Sequence, residues 1–325
     1  MNPNQKLIIL VGMPRSGTSW IGKIFDSHPD TLYRHEPDSL KGLLDVPIVA
    51  DVSQAAAYRQ SIVEFAAKLS GAWLTKASAT LPVFSKSYYT SAQLVLHKLT
   101  IMVTKLMAKM FGELKVPEFV DLRKDPRVVL VWKSIESAGR MGVLVRDLPD
   151  CSAVLILRHP CGFVASVLRG ESGHRFSGDT ASHEDYAVYI ELLKTPQAQA
   201  HQLTLEGLKS MHPVERLAWR WVLFNEKAMD DIAQLKNCTY VFYEELCRDP
   251  ITQTSKLFAF TGLPWHPQTV AFISDSTSTN NGAYYSVFKD PLKSANNWRS
   301  ELAQEDISRI LSVTKNTRPG KMIAE

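Results

Sequence analysis

The chain has 325 residues, 45% hydrophobic and 22% charged, which suffices for one large α/β core. Its net charge of +4 is mild and its basic residues are scattered, so composition gives no case for a nucleic-acid-binding protein. The four cysteines, at 151, 161, 238 and 247, form no Cys-x-x-Cys pair and read as buried reduced thiols, while no apolar run approaches the ~18 residues of a membrane helix.

In chain order, the apolar run Leu7–Val11 reads as a buried strand, followed by the loop Gly12-Met-Pro-Arg15-Ser16-Gly17-Thr18-Ser19-Trp20 and a helix over Gly17–Asp26. Because this first run is already a core strand, no signal peptide is expected, and the expected location is the cytoplasm. Residues 92–111 form an amphipathic helix with Leu99, Met102, Val103, Leu106 and Met110 on one face and Lys98, Lys105 and Lys109 on the other. It reads either as a surface helix of the same domain or as a membrane-surface or acceptor-binding lid. Val128–Trp132 is the next buried strand, with Lys133 directly after it. Ala153–Leu157 and Thr239–Phe242 complete four predicted strands, with helices over Cys161–Leu168 and Val214–Asp231 between them and a loop at 170–185. This alternation predicts an α/β fold, a P-loop-like parallel sheet with helices on both faces. The expectation is a single domain over residues 1–325 with a helical insertion around 85–125. Gly12, Lys133, Arg158 and Tyr243 all fall at or just past strand ends, where such sheets bind ligands.

The loop after the first strand keeps the spacing of a phosphate-binding P-loop: Gly12, four residues, Gly17, then two small residues ending in Ser19. The lysine that reaches a γ-phosphate is replaced by Thr18, and the positive charge has moved inside the loop to Arg15. The backbone amides of Ser16, Gly17, Thr18 and Ser19 can still face an anion at a helix N-terminus. The chain is therefore expected to bind a nucleotide phosphate without spending ATP.

That departure resembles the sulfotransferases, whose donor is 3′-phosphoadenylyl sulfate (PAPS) and whose product is PAP. Three further segments are similar to motifs of that family: Leu155-Ile156-Leu157-Arg158-His159-Pro160 with Ser166 eight residues after Arg158, Val241-Phe242-Tyr243-Glu244-Glu245-Leu246 before Asp249-Pro250, and Asn296-Asn297-Trp298-Arg299. The resemblance is nearest to the carbohydrate and tyrosylprotein branches. It implies transfer of a sulfuryl group to a hydroxyl-bearing acceptor, a carbohydrate first, with a tyrosyl or small-molecule acceptor open, and no required metal. It leaves the oligomeric state open.

The resemblance also distributes roles. Arg15, Ser16, Gly17, Thr18 and Ser19 would hold the 5′-phosphosulfate, and Trp20 and Tyr243 would border the adenine. Arg158 and Ser166, helped by Arg169, would hold the 3′-phosphate that ATP lacks, with Lys289 and Lys293 as further candidates. Lys133 and Arg15 would neutralise the leaving group. Glu36, 21 residues after Arg15, would take the acceptor proton if burial raises its pKa, with His35 as the competing base. The histidine that the cytosolic branch carries two residues after its strand-end lysine is Ile135 here, which favours Glu36. Two alternatives are a P-loop kinase or NTPase and a non-catalytic PAP-binding module.

Overall fold

Uninterrupted runs of Leu, Ile and Val demand burial on both faces of a sheet. The computed structural model, which describes residues 5–39, 44–120, 125, 127–146, 148, 150–173, 181–278, 287–288 and 290–323, provides it. Five parallel strands, β1 (Leu7–Gly12), β2 (Thr31–His35), β3 (Val129–Ser134), β4 (Cys151–Leu157) and β5 (Cys238–Phe242), lie in the order β2-β3-β1-β4-β5. Alternate residues of β1 enter different cores. Leu7, Ile9 and Val11 join one with Trp132, Phe65 and Trp221, while Ile8 and Leu10 join another with Val131, Phe25 and Phe258. The chain leaves β1 toward β2 and β3 and later reaches β4 on the other side, so the topological switch falls at the carboxyl end of β1, where the loop to Gly17 stands.

The predicted helices are present as Thr18–Asp26, Pro160–Ser172 and Pro213–Ile232. Two expectations need correction. β2 was not among the predicted strands, because Thr31-Leu-Tyr-Arg-His35 carries two basic residues; Arg34 is nevertheless buried, donating to Glu118 at 2.6 Å and to the Leu69 carbonyl at 2.8 Å. Lys133 lies inside β3 rather than after it.

The segment expected as an insertion contains the helix Ser91–Phe111, opened by a Thr90–Gln93 capping box. Its predicted apolar face is not the one that packs. Leu99, Met102, Val103, Leu106 and Met110 are 54–71% exposed, whereas Ile101 and Thr104 are buried. Within the loop expected at 170–185, residues 174–180 lie outside the described residues. Among the described residues no helix is long and apolar enough to cross a membrane, and the four cysteines form no disulfide.

Candidate active site

The anion loop is shaped by backbone constraints. A Cβ on Gly12 would stand 2.8 Å from Thr18 Cγ2 and 2.9 Å from the Ile156 carbonyl. Gly17 has φ +84°, and a Cβ there would sit 2.3 Å from the Tyr243 ring. At this position a side chain would collide with that ring, so glycine lets the chain pass under it in the left-handed conformation. Arg15 also has positive φ, 74°, and its side chain reaches Ser166, donating from Nε at 3.0 Å. The Ser16 amide donates to the Met13 carbonyl at 3.1 Å. This corrects one expectation: Ser16's N–H closes the turn, while the amides of Gly17, Thr18 and Ser19 make no backbone hydrogen bond among the described residues.

Behind the loop, β4 delivers Arg158. Its guanidinium donates from Nη1 to the Arg15 carbonyl at 2.6 Å and from Nη2 to the Ser294 carbonyl at 2.9 Å, and lies 4.9 Å from the centre of the Tyr243 ring. Its Nε is buried with no hydrogen-bond partner among the described residues. Ser166, one helix face further on, accepts from Arg15 Nε at 3.0 Å and from Arg169 Nη2 at 3.4 Å, and Arg169 is paired with Glu301. Arg15, Arg158, Ser166, Arg169, Gly17 and Tyr243 therefore converge. Lys293 is exposed one residue before Ser294, and Lys289 lies outside the described residues. Trp20 is buried instead of lying open to a ligand: its Nε1 donates to Ser276 Oγ at 3.0 Å and it meets Tyr243 edge-on at 6.4 Å.

Sequence reasoning gave no role to several supporting groups. Trp221 Nε1 donates to the Arg158 carbonyl at 2.9 Å, and the amide of His159 donates to Glu244 Oε1 at 3.0 Å. Trp298 stacks on the His159 ring at 4.5 Å with Arg299 4.3 Å from its ring centre, which ties the C-terminal Trp-Arg pair to the end of β4.

At the other side of β1, strand register builds a second group. His35 of β2 is paired with Lys133 of β3, and the Glu36 amide donates to the Lys133 carbonyl at 2.8 Å. Glu36 has φ 50° and turns its carboxylate back onto the Lys133 ammonium, forming a close ion pair. Lys133 is only 1% exposed. Burial lowers the Lys133 pKa against the upward pull of Glu36, and Arg15 lowers it further, so the loop and the ion pair share one electrostatic field. For Glu36, burial pushes the pKa up but Lys133 and His35 more than offset it, and the carboxyl is held below the ordinary glutamate value. This reverses the expectation that burial raises it. His35 falls to about 3, through burial and the Lys133 charge. Its Nδ1 lies 2.8 Å from the Tyr33 hydroxyl and its Nε2 3.5 Å from Glu36 Oε1. Neutral His35 accepting from Tyr33 carries its N–H at Nε2, toward Glu36.

Asp38, also missed, fixes both loops. It accepts from Trp132 Nε1 at 3.1 Å, Ser134 Oγ at 2.5 Å, Ser137 Oγ at 2.7 Å and Arg140 Nη2 at 3.2 Å. Only the acidic residue itself is visible in the sequence; its partners come from a strand and loop about a hundred residues away.

Comparison with known proteins bears on the whole chain. The sequence model of the sulfotransferase family matches residues 8–267. Among solved structures, the chain is similar to a sulfotransferase domain from the curacin biosynthetic pathway, at 14% identity and TM-score 0.47 over 95% of this chain and 96% of that one. It is similar to the sulfotransferase domain of a Synechococcus olefin synthase at 15% identity and TM-score 0.46, over 96% and 97% of the two chains. A mouse sulfotransferase in complex with PAP gives 14% identity and TM-score 0.44, over 98% and 88%. No curated protein matches the sequence significantly.

Proposed function

The chain belongs to the sulfotransferase family, and from that premise we propose that it transfers the sulfuryl group of PAPS to a hydroxyl of an acceptor and releases PAP. The observation that carries the reading is the buried Lys133–Glu36 pair, whose Lys133 lies on β3, the strand next to the one that carries the anion loop, with the Arg15 charge acting on Lys133. Sulfuryl transfer needs the donor's phosphosulfate held, the charge of the leaving PAP neutralised and the acceptor proton removed, and catalysis is mostly positioning and electrostatics.

The amides of Thr18 and Ser19 and the Arg15 guanidinium take the 5′-phosphosulfate. Lys133 has three donors and gives one to Glu36; the others serve the bridging oxygen as it gains charge in the transition state. Glu36 takes the acceptor proton. Its lowered pKa makes it a weak base in the free enzyme, and a donor anion that draws on Lys133 releases that restraint and raises its basicity. The unsatisfied Nε of Arg158, with Ser166, suits a 3′-phosphate. Side-chain cations carry the leaving-group charge, so the scheme requires no metal ion. Residues 1–325 act as one sulfotransferase domain in the cytoplasm, and the resemblance of Glu36-Pro37 to the carbohydrate branch supports a carbohydrate hydroxyl as acceptor.

Mass spectrometry across sugars, tyrosyl peptides, phenols and alcohols with PAPS as donor tests the reading. A mass gain of one sulfuryl group on an acceptor, with PAP released, is the expected result. Mg²⁺-dependent ATP turnover with no PAPS consumption overturns it.

A further inference from the structure

The helix Ser91–Phe111 attaches to the body through a narrow seam, where Ile101 packs with Ala79 and Val116. At about 100° per residue, Val95, Leu99, Met102, Val103, Leu106 and Met110 fall on one continuous arc away from that seam, and all are more than half exposed. Lys98 and Lys109 run along one border of the arc rather than opposite it, while Lys105 beside them turns to the seam and donates from Nζ to the Ala79 carbonyl at 3.2 Å, and no Asp or Glu occurs between Ser91 and Phe111. The nearest acids are engaged elsewhere: Glu113 accepts from Thr75 Oγ1 at 2.7 Å and the Lys76 amide at 2.9 Å, and Glu118 is paired with Arg34 at 2.6 Å.

We propose that this face docks the protein on an anionic lipid bilayer, with the helix lying in the interface plane. Exposed apolar arcs of this extent mark interaction surfaces. A lysine border beside the arc lets the aliphatic stems follow the apolar face into the acyl boundary while the ammonium groups stay among phosphates. A second copy of the chain fits less well. An antiparallel two-fold pairing through the arc sets the two lysine borders side by side, with no carboxylate in the segment to neutralise them. The complementary charge has to come from the partner, and an anionic leaflet provides it. The inference stands apart from the sulfuryl-transfer reading.

Flotation with vesicles of equimolar phosphatidylglycerol and phosphatidylcholine, compared with phosphatidylcholine alone, tests it. The wild-type chain is expected to float with the anionic vesicles and much less with the neutral ones. Each lysine near such a surface contributes about fivefold, so the double variant Lys98→Gln, Lys109→Gln is expected to bind on the order of 25-fold more weakly. Leu99→Glu with Leu106→Glu is expected to abolish flotation. All four positions are exposed, so unchanged thermal unfolding verifies that each variant is folded. Wild-type protein that stays free of anionic vesicles overturns the proposal, as does equal flotation of the Leu99→Glu, Leu106→Glu variant. A dimer in sedimentation equilibrium that this variant dissolves, without wild-type flotation, assigns the face to a second copy instead.

Discussion

At the phosphate end of the site, Gly17 passes under the Tyr243 ring and Arg15 bends into the left-handed region, so shape holds the group together. At the acceptor end, Glu36 and Lys133 stand 97 residues apart and are joined by the pairing of β2 with β3 and by opposite charge in a buried place. The first end should tolerate loss of a single charge better than added volume. The second should tolerate altered volume better than loss of a charge, because removing one member leaves the other buried and uncompensated.

The largest expected effect lies at the charged end. Glu36→Gln is expected to lower kcat by ~10²–10⁴-fold, the usual range for general-base assistance, with PAP affinity near wild type. It should also lower stability by about 1–3 kcal/mol, since buried Lys133 loses its counter-charge and is left with an unpaired polar group. Turnover, calorimetry and thermal unfolding read the three quantities. Full stability together with lost turnover breaks the comparison, because the pair would then matter to chemistry alone.

At the shaped end, Gly17→Ala adds a Cβ where the Tyr243 ring already stands. Left-handed strain of about 1–2 kcal/mol for an L residue adds to displacement of that ring. PAP affinity is expected to fall on the order of 100-fold by calorimetry, each tenfold being about 1.4 kcal/mol. Wild-type affinity in this variant shows that the loop is not set by volume.

Arg158→Ala sharpens the same end. Its guanidinium also ties Arg15 to Ser294, so AMP binding is expected to weaken slightly. PAP should weaken further, by the ~1.5–3 kcal/mol of a charged hydrogen bond. Parallel losses for PAP and AMP leave Arg158 a purely structural role.

The smallest effect is expected at His35. With its pKa at about 3, the imidazole is neutral and a weak base, and on the proposed reading it orients Glu36 while Glu36 takes the proton. His35→Ala should cost less than tenfold in kcat, well below the general-base range. The wild-type kcat profile should show no inflection near the ordinary histidine value of about 6.5. Glu36 has a lowered folded pKa, so the stability from its ionised form is present above the ordinary glutamate value of about 4.3 and is lost as pH falls through the folded pKa. An acid limb near 6.5 that disappears in His35→Ala assigns the base to the imidazole.

The same contrast explains what the sequence made legible. The loop from Gly12 to Ser19 and the strand it follows are local, so spacing alone located them, and Arg158 with Ser166 came from the resemblance of one strand end and the helix after it to a family motif. The use made of those groups was less visible: Ser16's amide is consumed by a turn to Met13, and Trp20 is drawn into the core toward Ser276. β2 escaped notice because its pattern is broken by Arg34, whose burial depends on Glu118, far along the chain. The direction of the Glu36 pKa could not be read without the register that brings Lys133 beside it. The apolar arc of the helix Ser91–Phe111 was visible, but periodicity does not tell whether such a face meets the core or the outside.

One measurement reaches the central claim most directly: transfer of labelled sulfuryl from PAPS to a hydroxyl acceptor by wild type, Glu36→Gln and His35→Ala in the same assay, with PAP affinity measured on each. The account predicts transfer by wild type, near-wild-type transfer by His35→Ala, and a loss of ~10²–10⁴-fold in Glu36→Gln at unchanged PAP affinity. Wild-type transfer by Glu36→Gln, or no transfer by wild type to any acceptor despite tight PAP binding, contradicts it.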